Sequence, residues 1–575
     1  MKIVNKKQII NQLDTIALYL EIKGENPFKV AAYHRAGLAL ENDPRSMAGM
    51  SDLSKIKGIG KSTAQVIEEL LARGESSVLL ALEKDIPHSL LDLLRLPGLG
   101  GKKIGKLYRE LGVVDRDTLK DACEQGKVSQ LAGFGKKTEE HLLQSLNEQR
   151  QRPKELPIPY MIDLADQIER VLRSVEMVNR FSCAGSLRRA KEKMKDLDFV
   201  IETADPKAVA RQLLEKLPMH EIVGQGDAKM TVLLGDPNQV SVDFRFATQD
   251  IYASMLLHFT GSKEHNVLLR RLAKERNEKI SEYGIEREDG SMRTFQNEAD
   301  IYHYFGLNFI PPQAREGAFE LERAEKGPLN LIKLSDIKGD LHMHSTWSDG
   351  ANTIAEMAEA MRSKGYAYAC LTDHSQSLRV ANGLSPERLL EQNEKVKKMN
   401  QHYDDFTLFS GIEMDILPDG SLDYSDDVLS RLDFVIASIH FSFSQDKNQI
   451  MKRLENACRN PYVRLIAHPT GRMLGKRHGY AVDVKRLIEL AKETGTALEL
   501  NASRFRLDLS SEWLGRVQEA GVKIAINTDS HSLDMMDDMK LGVETAIRAG
   551  IKPHNVINTW PIDQLMIFLK NKKVI

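Results

Sequence analysis

The sequence predicts a multidomain chain: a helical front built on helix-hairpin-helix turns, an α+β middle, and a C-terminal distorted (β/α) barrel. Three observations predict it. A short glycine motif recurs three times before residue 137. An Asp-x-Asp pair opens an apolar run at residue 196, and a further aspartate sits in a later run. Beyond residue 339, histidines and carboxylates close one apolar run after another.

At 575 residues the chain has room for several domains, and 42% hydrophobic residues suffice for their cores. Lys+Arg 80 nearly balances Asp+Glu 82, so a nucleic-acid partner has to be argued from local patches. The four cysteines, at 123, 183, 370 and 458, form no CxxC pair, which fits a reducing cytoplasm. The opening Met1 to Asp14 alternates polar and apolar residues and has no signal-type core. No apolar run approaches the roughly 18 residues of a membrane span, so no membrane partner is expected.

The front motif reads Ile56-Lys-Gly-Ile-Gly-Lys61, Leu96-Pro-Gly-Leu-Gly-Gly-Lys102 and Leu131-Ala-Gly-Phe-Gly-Lys136. Amphipathic helices are expected after each, over Ser62 to Ala72, Lys103 to Leu111 and Lys137 to Leu146. Glycines Gly58 and Gly60, Gly98 and Gly100, Gly133 and Gly135 permit a tight turn and close backbone approach. Free N–H groups at the new helix start can then meet a phosphate, and Lys61, Lys102 and Lys136 add charge. Such contacts hold a protein on DNA without reading its sequence. One Gly-x-Gly alone would fit a plain αα-hairpin; the threefold repeat favours the DNA backbone.

After a proline-punctuated linker, Arg152 to Pro159, a helix is expected over Tyr160 to Val175 and a strand over Phe181 to Ala184. Gly185-Ser186-Leu-Arg188-Arg189 follows, offering backbone N–H groups, a hydroxyl and guanidinium forks to a triphosphate. Asp196 and Asp198 lie two apart on a strand and so point to one face. Two carboxylates there are costly unless a divalent cation shares them, and Asp243 in Val-Ser-Val-Asp-Phe-Arg could complete such a site.

These motifs, with Phe259-Thr-Gly261-Ser262, make residues 1 to about 315 resemble the X family of DNA polymerases, the polymerase beta type. The resemblance implies that Asp196, Asp198 and Asp243 are catalytic and hold two Mg²⁺ ions, with Asp243 beside the primer 3′-hydroxyl. It implies Ser186 and Arg189 on the triphosphate, Gly261 against the sugar and Asn266 near the base, with Gly185, Arg188 and Phe259 completing the nucleotide-binding set. His258 stands where the family often has Tyr. Val66 stands where lyase-active members carry a Schiff-base lysine, so no deoxyribose-phosphate excision is expected.

The last region holds nine candidate metal ligands: His342, His344, Asp349, His374, Glu413, His440, His468, Asp529 and His531. Strands are expected over Tyr366 to Leu371, Phe406 to Ile412, Phe434 to Ile439, Val463 to Ala467 and Val522 to Ile526. Helices over Ile354 to Lys364 and Val484 to Thr494 separate them. Ligands therefore recur at strand C-terminal ends, where such barrels place their chemistry. Mixed imidazole and carboxylate suit Zn²⁺, Mn²⁺ or Fe²⁺.

This ligand order resembles the PHP (polymerase and histidinol phosphatase) family over residues 336 to 575, which implies a phosphoesterase with three bound ions, Mn²⁺ and/or Zn²⁺. Carried over, His342, His344, Glu413 and Asp529 hold the first. Glu413 bridges to a second with His440 and His468. Asp349, in place of the usual histidine, holds the third with His374 and His531.

The union of both modules resembles the bacterial and archaeal PolX enzymes. The expected domains are 1–85 and 86–150 (helix-hairpin-helix), 151–245 (palm), 246–315 (thumb), an ordered linker at 316–335, and 336–575 (PHP). The expected function is a monomeric cytoplasmic gap-filling polymerase acting on gapped or primer-template DNA with dNTPs. A 3′–5′ exonuclease that processes 3′ ends accompanies it, with incision at abasic sites as a further option. The alternatives are a non-catalytic polymerase-like module that delivers the PHP hydrolase to DNA, and a small-molecule phosphatase.

Overall fold

The computed structural model describes residues 6–42, 53–96, 98–148, 155–235 and 238–570. The chain divides into two compact units. One is Met1–Arg152 with His344–Met357 and Asp373–Gln392; the other is Pro153–Met343 with Ala358–Thr372 and Asn393–Ile575.

In the first unit, helices Lys6–Lys23 and Pro27–Asn42 pack together, and the three hairpin helices are Lys61–Arg73, Gly101–Leu111 and Lys136–Glu148. Their apolar faces share one core with Leu13, Ile16, Leu20, Ile67, Leu70, Leu93, Ile104 and Leu107. Each hairpin closes the same way. The apolar residue between the glycines (Ile59, Leu99, Phe134) is buried and donates its N–H to the carbonyl of the motif's first residue (Ile56, Leu96, Leu131) at 3.0, 3.3 and 3.0 Å. The glycine before it has φ of 110°, 79° and 91°, the left-handed position of a tight turn that favours glycine.

In the second unit the palm is a five-stranded sheet in the order Arg180–Cys183, Asp196–Glu202, Val240–Ala247, Lys229–Leu234, Met219–Gln225. Helix Ile158–Arg173 buries Ile158, Met161, Leu164, Ile168 and Leu172 in its core. The linker expectation needs correcting, because Leu156–Pro157 is a short strand paired with Lys193–Met194 and the helix begins at Ile158. Residues 152–154 of that linker lie outside the described residues. Helices Tyr252–Thr260 and Lys263–Lys274, with a three-stranded sheet and helix Glu298–Tyr304, follow the palm.

The barrel runs Gly339–Met343, Tyr368–Leu371, Thr407–Asp415, Phe434–Ser438, Val463–Ile466, Ala497–Asn501 and Ile524–Asn527, seven parallel strands each paired to the next in sequence. A bridge between Met343 and Ser530 nearly closes the ring. Asp340 fastens this seam, accepting from the Thr528 hydroxyl at 2.5 Å. Val484–Thr494 shows why its helix sits where it does: Asp483 caps its start, accepting from Arg486 N at 3.1 Å, and Gly495 ends it at φ 69°. The strand Ala497–Asn501 was absent from the sequence-based expectation.

Candidate active sites

Parallel pairing of the second and third palm strands sets Asp198 directly opposite Asp243, and Asp196 opposite Ser241. The three carboxylates therefore share one face, as the two-residue spacing predicted for Asp196 and Asp198. Burial, then repulsion from Asp196 and Asp243, pushes the Asp198 carboxyl up to about 7. Asp196 is raised by burial and Asp243. Burial would raise Asp243 too, but Lys229 at 2.8 Å and the Thr231 hydroxyl at 2.7 Å outweigh it and hold it below the ordinary range. Arg245 also donates to Asp243 at 3.1 Å. A carboxylate trio with displaceable cationic neighbours is a fitting donor set for divalent ions.

Gly185 lies over this face. A β-carbon there would stand 2.3 Å from Asp198 Oδ2, and φ is 57°, so only glycine fits. Ser186 opens the next turn, and Arg189 Nη2 lies 3.4 Å from its hydroxyl. Arg189 is buried, with Nη1 donating to the Thr260 carbonyl. Arg188 differs from the expectation of a fork free for triphosphate. It grips Glu298 at 3.0 and 2.6 Å and the Thr260 hydroxyl at 2.6 Å, while Arg315 holds the same glutamate at 2.6 Å. Phe259 carries the Arg245 guanidinium on its ring at 4.0 Å, which links it to Asp243. Gly261, at φ 67°, sits against Arg189, and Asn266 donates to the His258 carbonyl at 2.8 Å. Val66, at the lyase position, is a buried core residue of helix Lys61–Arg73.

At the barrel mouth, Glu413 is fully buried at the end of the third strand. Its Oε2 lies 3.5 Å from His342 Nε2, and its Oε1 lies 3.3 Å from His440 Nε2 and 2.8 Å from His468 Nε2. His342 Nε2 is also 3.4 Å from Asp529 Oδ1. In the segments of the first unit, His374 Nε2 is 3.4 Å from Asp349 Oδ1, and the His344 and His374 rings stand 4.3 Å apart. Within the second unit, ligand atoms of His342, Glu413 and Asp529 fall within 4.8 Å of one another, as do those of Glu413 and His440; within the first, those of His344, Asp349 and His374 do. Seven of the nine expected ligands take part in these groupings; of the other two, His468 touches Glu413 and His531 Nδ1 lies 3.8 Å from Asp529 Oδ1. His468 and Asp529 hold positive φ, 29° and 56°, a strain that functional sites retain.

Further carboxylates brace these imidazoles from behind. Glu499 takes His342 Nδ1 at 2.9 Å, and Asp415 takes His440 Nδ1 at 3.1 Å, so each Nε2 faces the cluster. Metal-bound histidines are oriented in this manner. Burial lowers His342 and His440, but the acids outweigh it. Asp529, Glu499 and Glu413 hold His342 well above its usual range, and Glu413 and Asp415 lift His440 to about 10. Buried carboxylates that draw protons onto imidazole call for positive charge, and divalent ions fit that demand. Asp373 braces the loop of Asp349, accepting from Ser345 N at 2.7 Å, Ser348 at 2.5 Å and Gln392 at 2.6 Å. Sequence reasoning missed Glu499, Asp373 and Lys229; for Glu499 alone there was a signal, an acid inside the apolar run Ala-Leu-Glu-Leu-Asn.

Family models match along the chain: a helix-hairpin-helix domain at 4–76, a SAM-like helix-hairpin-helix tandem at 90–148, a DNA polymerase beta thumb at 255–316 and a PHP domain at 340–503. Together with the aspartate face and the barrel cluster they define a family X type DNA polymerase joined to a PHP domain. The DNA polymerase/3′-5′ exonuclease PolX of Bacillus subtilis (strain 168) is 52% identical over 568 residues, 99% of this chain and 100% of that protein. The chain belongs to the PolX family. Probable phosphatases of Thermoanaerobacter sp. (strain X514) and Caldanaerobacter subterraneus are each 30% identical over 245 residues, 41% of this chain and 95% and 91% of theirs.

Proposed function

We propose that this chain is a gap-filling DNA-directed DNA polymerase and a metal-dependent 3′–5′ exonuclease, acting as a cytoplasmic monomer on gapped or primer-template DNA. The register that sets Asp198 across from Asp243 beside Gly185 carries the polymerase reading. Full-length similarity to a polymerase/exonuclease supports both activities. Among the described residues no helix is long and apolar enough to cross a membrane.

Asp196, Asp198 and Asp243 would hold Mg²⁺, which prefers all-oxygen sites. The barrel ligands would hold Mn²⁺ or Zn²⁺, which accept imidazole. Divalent ions, when bound, supply Lewis acidity to phosphoryl oxygens and acidify water. The protein's own share is positioning. Asp243 orients the primer 3′-hydroxyl, Ser186 and Arg189 bind the triphosphate, and Arg188 steadies the Thr260–Gly261 turn against the sugar. Phe259 and Asn266 bound the nucleotide. In the barrel, Glu413 is the shared ligand, and Glu499 and Asp415 hold His342 and His440 in the ligating orientation. The hairpin residues Gly58, Gly60, Lys61, Gly98, Gly100, Lys102, Gly133, Gly135 and Lys136 grip the DNA backbone.

The test is a labelled gapped duplex with Mg²⁺ or Mn²⁺, with and without dNTPs. Extension with Mg²⁺ and dNTPs, and 3′ shortening with Mn²⁺, are expected. No extension under any condition would leave the front half a non-catalytic delivery module. Similarity to probable phosphatases favours a second reading of the barrel, as a small-molecule phosphatase. A histidinol phosphate assay beside the duplex decides it, and an abasic duplex tests incision.

A further inference from the structure

Helix Met539–Arg548 follows the last barrel strand, yet Leu541 is buried in the palm's hydrophobic core and Arg548 reaches the nucleotide end of the palm. Arg548 donates Nη1 to Glu316 Oε1 at 2.6 Å and Nη2 to Glu316 Oε2 at 3.0 Å. The same Oε1 lies 3.7 Å from Arg189 Nε, and Arg548 Nη1 lies 3.4 Å from the Arg189 carbonyl. Glu316 thus has two arginine neighbours, and both its oxygens are engaged by Arg548. The contact to Arg189 is longer than a hydrogen bond. The groups are shielded, with side-chain exposures of 9% for Arg189, 19% for Arg548 and 34% for Glu316.

We propose that Arg548 is a positioning residue for nucleotide binding: by holding both oxygens of Glu316 it keeps that carboxylate from forming a fork–fork pair with Arg189, whose guanidinium stays turned to Ser186 and the triphosphate. The inference rests on the polymerase reading and adds a barrel residue to it. A fork–fork pair occupies one edge of a carboxylate and leaves a second guanidinium a single-point contact, as Arg315 makes with Glu298 beside Arg188, and such charge-assisted pairs are roughly twice as strong as neutral hydrogen bonds. With Arg548 in place, a triphosphate approaching Arg189 displaces only a long ionic contact. Without it, the triphosphate competes with a short ion pair inside a shielded site, where salt screens little. The effect falls on affinity for dNTP and not on the chemical step.

The experiment measures KM for dNTP and kcat in primer extension with Mg²⁺ for the full chain and for R548A, R548K, E316Q and R548A/E316Q. The exonuclease of each protein serves as a check on folding. R548A is expected to raise KM about tenfold with kcat within about twofold. R548K, a point charge without a fork, falls between parent and R548A. E316Q, which removes the competing charge, has a KM at or below the parent's, and R548A/E316Q returns to within about twofold of it. That rescue is a readout a simple brace would not give. An unchanged KM in R548A overturns the inference, as does a double variant as impaired as R548A. R548A and the double variant losing both activities alike would make Arg548 a fold residue only, and also overturns it. If the parent chain itself fails to extend primers, the polymerase reading falls instead.

Discussion

On the palm sheet, Asp196, Asp198 and Asp243 stand on two adjacent strands with partial solvent access, and Lys229, Thr231 and Arg245 crowd Asp243. At the barrel mouth, Glu413 is fully buried among imidazoles whose far nitrogens are gripped by Glu499 and Asp415. Both regions gather acids at strand positions, but they manage the charge differently. The palm leaves its carboxylates open on one side and balances Asp243 with the cationic side chains of Lys229 and Arg245. The barrel fixes its ligands with a second layer and leaves them little freedom. An open carboxylate face suits ions that arrive and leave with substrate; a braced, imidazole-rich cage suits resident ones.

The sharpest way to break this contrast is to remove one ligand from each side. Asp243→Ala should cut polymerisation by about a thousandfold or more, since the sheet register offers no substitute carboxylate, and leave 3′-end degradation near the parent rate. Equal loss of both activities in a folded protein would mean that the two sites are not separate. His440→Ala should lower the exonuclease by roughly a hundredfold while primer extension stays intact, because one imidazole on Glu413 is lost. A parent-like nuclease in that protein, after metal analysis, would place hydrolysis elsewhere.

The second layer can be sharpened alone. Glu499→Gln keeps the shape but weakens the hold on His342, so exonuclease activity or metal affinity should fall by about ten- to a hundredfold. Metal titration followed by activity measures this; no change would make the bracing layer ornamental and bring the barrel closer to the palm. The smallest effect belongs to the hairpins. Replacing Lys61 and Lys102 with alanine should weaken binding to all duplexes alike and flatten the salt dependence by about one unit of slope per lysine. A salt-independent affinity of the parent for gapped DNA would remove backbone phosphates from the hairpins' role.

Local rules made most of this legible. The period of two put Asp196 and Asp198 on one face, and the glycine motif predicted three turns that close alike through Ile59, Leu99 and Phe134. Ligands at strand ends followed from apolar runs closing in His or Glu. What stayed hidden depends on contacts distant in sequence. Glu499 lies in Ala-Leu-Glu-Leu-Asn, whose charge obscured a buried strand until His342, 157 residues away, supplied its partner. Arg188 reads as a free phosphate ligand because Glu298, 110 residues on, is what occupies it. Leu156–Pro157 reads as linker because proline-rich segments seldom pair, and the two-residue strand forms only where Lys193–Met194 meets it.

The seam between first and last barrel strands carries a thermodynamic consequence. His342 comes from one side of that seam and Asp529 from the other, with Asp340 and Thr528 clasped beneath them. A cation shared by both residues would bind the closed ring and not the opened one, so its binding free energy would add to closure by mass action. The gain is about 2.7 kcal/mol when the free ion stands a hundredfold above its dissociation constant. Withdrawing such a cation would then loosen this seam as well as slow hydrolysis.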